Sequence, residues 1–150
     1  MKHVIDHFKK LLTCEQFIIT GSYALNQLGL TESVGDLDII LVNPDKTSID
    51  VLNKLKEPTN NEYPSTEYFR VIMDNIKIDF YIRNKILPTI ELANGLVISM
   101  PKDIVKAKKS YGRLKDTLQL MAISEIFYTP KDLEKAIENE KVKFIVDSFI

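Results

Sequence analysis

The segment Ile76-Lys77-Ile78-Asp79-Phe80-Tyr81-Ile82 constrains the fold of this chain more than any other. Its apolar residues recur at every second position, and a period of two belongs to a strand with one buried face. Ile76, Ile78, Phe80 and Ile82 then point into a core, which leaves Asp79 on the opposite face with Lys77 and Tyr81. Such a strand needs a partner. The run Tyr68 to Met73 supplies one, joined through Asp74-Asn75 as a two-residue hairpin.

Other elements follow from their own periods and stops. Val4, Ile5, Phe8, Leu11 and Leu12 recur at helical spacing and predict a first helix of about three turns. Phe17-Ile18-Ile19-Thr20 reads as a short buried strand that stops at Gly21. Ser22 is then the expected N-cap of a short helix, Tyr23 to Leu28, closed by Gly29. Leu37 to Val42 is a second apolar strand ended by Asn43-Pro44-Asp45, Asp50 to Lys56 is helical, and Glu57-Pro58-Thr59-Asn60-Asn61 is loop.

Leu96 to Met100 is a shorter strand. Pro101 suits the first position of a helix to about Ser110, and Gly112 separates it from another helix, Arg113 to about Phe127. Pro130 opens a last helix to about Glu138, and Phe144 to Ile150 is an apolar tail compatible with helix or strand. Strands and helices in this order predict an α/β (α+β) fold: a mixed sheet flanked by helices, with a small C-terminal helical subdomain. Residues 1–100 form the core and residues 101–150 a helical tail packed on it, within one domain.

Composition narrows the function classes. A net charge of −1 argues against a protein that coats nucleic acid non-specifically, since that requires many cations facing phosphates. Cys14 is the single cysteine, so the chain makes no internal disulfide and no thiolate zinc cluster. No run of 18 apolar residues is present, and Met1 to Leu12 carries charges through an amphipathic pattern unlike a signal peptide. A cytoplasmic location without membrane association is expected.

The residues with chemistry lie at strand ends. Asp36 and Asp38 flank Leu37 at the start of the second strand, and positions i and i+2 of a strand share a face. Two adjacent carboxylates repel unless a cation lies between them, and an oxygen-only donor set suits Mg²⁺ or Mn²⁺. A solvated turn at Gly35-Asp36 fits the same residues. If the strand of Asp79 lies beside that of Asp38, three carboxylates converge. Gly21 lets the backbone approach a ligand closely, and Ser22 adds a hydroxyl at the start of the helix, an arrangement suited to an anion and equally to an ordinary turn.

In this order, Gly21-Ser22, thirteen intervening residues, Asp36-Leu37-Asp38 and a later strand Asp79 resemble the DNA polymerase β-like nucleotidyltransferase superfamily, especially its small, minimal bacterial and phage-type members. The resemblance covers about residues 15–83. It implies a nucleotidyltransferase fold and transfer of a nucleoside monophosphate from an NTP, with ATP expected, to a hydroxyl acceptor with release of pyrophosphate. It implies two Mg²⁺ (or Mn²⁺) ions on Asp36, Asp38 and Asp79, and a triphosphate held by Gly21 and Ser22. Asp79 would also help deprotonate the acceptor. A catalytically silent nucleotide-binding module of the same fold is the alternative. The acceptor (protein, RNA end or small molecule) is not specified.

Arg113-Leu114-Lys115-Asp116 is similar to a segment that follows the core in small bacterial members, including toxin–antitoxin ones, which implies a protein partner of that type. Six basic residues and one acid lie between Lys102 and Lys115, and Lys109 and Arg113 are candidate triphosphate contacts or part of a solvated basic face. Tyr23, where many members carry a small or charged residue, either stacks on a base or packs. His3 and His7, four apart, have no third ligand nearby and read as surface residues, and Cys14 reads as a small buried residue.

Overall fold

The computed structural model describes residues 1–32, 34–57 and 67–120. The loop expected from Pro58 to Asn61, the helix beyond residue 120, and the helix and tail expected from Pro130 onward lie outside the described residues. Ten elements are defined: α1 (Lys2–Leu11), β1 (Gln16–Thr20), α2 (Gly21–Gln27), β2 (Leu37–Val42), α3 (Lys46–Leu55), β3 (Tyr68–Met73), β4 (Ile76–Arg83), β5 (Thr89–Glu91), β6 (Val97–Ser99) and α4 (Pro101–Tyr111). Residues 114–120 are also helical. The fold is α+β on a mixed six-stranded sheet, in the order β3-β4-β2-β1-β6-β5. Among the described residues no helix is long and apolar enough to cross a membrane.

The β3–β4 hairpin is as expected. Asp74 and Asn75 both take positive φ, 52° and 63°, the combination whose twist matches that of the flanking strands. β2 pairs parallel with β4 and antiparallel with β1, and β6 lies parallel on the other side of β1. Alternation sorts the two faces. Ile19, Leu37, Ile39, Leu41, Phe69, Val71, Ile78 and Phe80 join one core with Val4, Ile5 and Phe8 of α1, Ala24 and Leu25 of α2, and Leu52 of α3. Phe8 meets Phe80 edge-on at 5.1 Å. The acids of β2 and β4 fall on the opposite face.

Two expectations are corrected, and one strand is added. α2 begins at Gly21 with Thr20 at the N-cap, so Ser22 lies inside the first turn and is not the cap. Its hydroxyl oxygen instead accepts from the Gly35 N–H at 3.2 Å. α3 begins a turn before Asp50, because Asp45 ends the preceding segment and caps the helix, accepting from the Ser48 N–H at 2.8 Å. The three-residue β5 was not expected. It pairs antiparallel with β6 at the sheet edge, too short for its alternation to register in the sequence.

Candidate active site

Sheet register brings the acids together. Thr20 at the end of β1 pairs with Asp38, Asp38 pairs with Asp79, and Asp79 pairs with Arg70 of β3. Because β2 and β4 are parallel and in step, Asp38 and Asp79 point to the same face. Asp36 stands two residues before Asp38 at the mouth of the strand, with its side chain about one-third exposed. Asp79, although on the polar face of its strand, is buried at 4% exposure.

Gly21 closes the other wall. Its φ is +69°, and a Cβ placed on it would fall inside the contact distance of Asp38 Oδ2 and only 3.1 Å from Asp38 Cγ. The absence of a side chain is therefore what lets the β1–α2 turn lie against the Asp38 carboxylate. Ser22, through Gly35, ties this turn to the loop that delivers Asp36 and Asp38.

The three carboxylates sit in different electrostatic surroundings. Asp79 accepts from Arg70 Nε on Oδ1 at 2.7 Å, from Arg70 Nη2 on Oδ2 at 3.0 Å, and from the Tyr68 hydroxyl on Oδ1 at 2.5 Å. The same Nη2 reaches Asp36 Oδ2 at 3.4 Å. Asp38 receives a long contact from the Tyr81 hydroxyl, also 3.4 Å. Burial, then the charges of Asp79 and Asp36, push the Asp38 carboxyl up to about 7, against the opposing pull of Lys108 and Tyr81. Tyr81 is driven far above its ordinary value by burial and by Asp38 and Asp79, so it remains a neutral donor.

Among the described residues no three His, Cys, Asp or Glu side chains already stand as a cluster able to hold a metal ion. The donor set nevertheless fits a hard divalent cation: oxygen ligands on one face, and a central carboxylate, Asp38, that makes no ion pair within 4 Å among the described residues. A cation at Asp36 and Asp38 would offset both the burial and the carboxylate repulsion that hold the Asp38 carboxyl up.

α4 brings the basic segment back toward the acids. Lys108 is buried, and its Nζ lies 3.4 Å from Asp116 Oδ1. Arg113 Nε donates to Asp116 Oδ2 at 2.6 Å. The charges of Lys108 and Arg113 both act on Asp38 or respond to it. Lys109 is exposed on α4. Burial lowers the Lys108 pKa, with Asp116 opposing. For Asp116, burial works to raise the pKa, but the Arg113 hydrogen bond and the two cations outweigh it and hold the group below the ordinary value.

The structure thus unites Gly21, Ser22, Asp36, Asp38 and Asp79, with Arg113 close enough to feel Asp38. Tyr23 is partly buried against the core, with its pKa raised by that burial. His3 pairs with Asp74 at 3.0 Å on the surface, and the His7 ring meets Phe8 edge-on. Cys14 is half-buried beside an open cavity of about 410 Å³, lined also by Gln16 and Phe17, at the end of β1 away from the acids.

Arg70, Tyr68, Tyr81, Lys108 and Asp116 were not singled out as site residues from sequence. Arg70 had a readable signal: a two-residue turn pairs Met73 with Ile76, and counting back along both strands sets Arg70 opposite Asp79. No protein-family model matches the sequence, and no curated protein matches it either.

Proposed function

We propose that this protein is a divalent-metal-dependent nucleotidyltransferase, with the nucleotidyltransferase fold, that moves an NMP from an NTP to a hydroxyl acceptor. One observation carries the reading: Asp36, Asp38 and Asp79 gather at one end of the sheet, walled by a turn at Gly21 where any side chain would be strained and would crowd Asp38. In the reaction the acceptor oxygen bonds to the α-phosphorus, the bond from that phosphorus to the β-bridging oxygen breaks, and pyrophosphate leaves. The hydroxyl proton passes to the carboxylate face and on to solvent.

Divalent ions, held by Asp36 and Asp38 and facing Asp79, would neutralise the triphosphate and the charge that develops on transfer. The protein's own groups do the positioning. The Gly21–Ser22 turn offers a close backbone approach and a hydroxyl whose proton is available to a phosphate oxygen. Lys108 and Arg113, anchored on Asp116, supply positive charge beside the acids, and Tyr81 orients the Asp38 carboxylate.

A silent binding module is the second reading, and the Arg70 bridge to Asp79 favours it by giving that acid a purely structural partner. Incubating the full chain with each α-labelled NTP, Mg²⁺ and a cell lysate separates the two. Transfer of label that is lost in Asp38→Ala supports the enzyme. Mg²⁺-dependent NTP binding without label transfer supports the module, and transfer surviving in a folded Asp38→Ala refutes the role given to Asp38.

A further inference from the structure

Asp79 differs from Asp38 in what already neutralises it. Its two oxygens accept three hydrogen bonds, two of them from one guanidinium in a fork-on-fork arrangement and the third from a phenol. Arg70 reaches this buried acid from the rim: its own side chain is 33% exposed while that of Asp79 is 6% exposed. The same guanidinium extends to Asp36. It therefore lies against two of the three acids, where a second hard cation would have to lie. Asp38, by contrast, is approached by a neutral hydroxyl at 3.4 Å.

A carboxylate in a bidentate, charge-assisted pair cannot offer the same lone pairs to a metal without giving up the arginine. Burying Asp79 without a counter-charge would be costly, so the pair is not idle decoration of the sheet. The strand register reinforces it: Arg70 is the direct cross-strand neighbour of Asp79, and the hairpin turn fixes that pairing.

Resting on the metal-dependent reading above, we propose that Arg70 is the built-in cation of the Asp79 position. Divalent ions bind the Asp36–Asp38 pair first and enter beside Asp79 only by displacing the guanidinium. The two ions expected from the sequence are thus unequal, and the second is set against an internal competitor. Loss of charge-assisted hydrogen bonds of this kind corresponds to about 10- to 100-fold in affinity. Arg70 is a specificity-determining residue for metal occupancy in this scheme.

The test titrates the full chain with Mn²⁺ alone at pH 7.5, reading free Mn²⁺ by its paramagnetic resonance signal. Wild type should bind one ion tightly and a second at least about tenfold more weakly. In Arg70→Met the second ion should tighten by about 10- to 100-fold, and Mn²⁺ should raise the melting temperature more than in wild type. Arg70→Gln serves as the second variant if Arg70→Met does not fold. Tyr68→Phe, which removes a neutral donor and keeps the guanidinium, should change the second affinity far less. An unchanged second affinity and an unchanged thermal shift in a folded Arg70 variant overturn the role of Arg70 and leave the metal site standing. Binding of no Mn²⁺ by wild type or variants overturns the metal-dependent reading, and this proposal with it.

Discussion

Replacing Gly21 by alanine tests the geometry on which the site rests. The substitution has two separable costs. The first is backbone: an L residue at φ +69° loses roughly 1–2 kcal/mol relative to glycine. The second is contact: the new methyl would overlap Asp38 Oδ2 and sit 3.1 Å from Cγ and 3.3 Å from Cβ of the same residue. Cβ belongs to the strand, so rotating the carboxylate away does not remove every close approach, and the turn or β2 must shift. Overpacking of this sort costs about 1–3 kcal/mol. Gly29 provides the control, because its φ is +76° and nothing lies within 4 Å of its added Cβ. Urea unfolding followed by circular dichroism should show Gly29→Ala losing the backbone part alone, and Gly21→Ala losing about 1–3 kcal/mol more. Adding Asp38→Ala to Gly21→Ala should recover most of that excess, a coupling of about 1–3 kcal/mol between the two positions. Equal losses at Gly21 and Gly29, or a coupling below about 0.5 kcal/mol, would refute the claim that the turn rests on the Asp38 carboxylate.

Two further substitutions probe the scaffold around the site. Ser48→Ala removes the hydroxyl that accepts from the Thr13 N–H at 2.7 Å in a buried position, and should cost about 1–3 kcal/mol in the same urea assay, with nucleotide transfer retained. Asp116, held below its ordinary value of 3.8, contributes stability that is complete above that value and is lost as the pH falls through its lower folded pKa. Melting temperatures measured from pH 6 downward should therefore fall more steeply for wild type than for Asp116→Asn, and parallel curves would contradict the ion-pair assignment.

Strand periodicity made the sheet legible where alternation is long. Alternation from Ile76 to Ile82 identified β4 and its faces, while Leu37 to Val42 identified β2 as a short, nearly continuous apolar run closed by Asn43-Pro44-Asp45. Adjacency of the two strands was a conditional statement in the sequence and became a register only in the fold, where Asp38 meets Asp79. Short or polar features carried less signal. β5 has three residues, and Asp45 was read as the stop of one element when it is also the cap of the next. Ser22 shows the same ambiguity: a serine after a strand suits an N-cap, but the helix already starts at Gly21, and the hydroxyl accepts from the Gly35 N–H instead.

The basic segment shows why charge counting alone misplaces a site residue. Spacing along the helix drew attention to Lys109 and Arg113, but the buried stripe of α4 is Pro101, Ile104, Val105 and Lys108, at intervals of three, one and three residues. Position 108 continues an apolar stripe, so its lysine has to lead its charge to a partner inside the protein. Gly112, at φ 60°, ends α4 in the left-handed conformation and turns the chain so that Asp116 comes back to Lys108 across eight residues. An acid placed past a glycine cap from a lysine on the buried stripe is a pattern that sequence could have offered. What it could not offer is that Asp38 would feel the same lysine, since that depends on α4 starting from β6, parallel to β1 on the far side from β2.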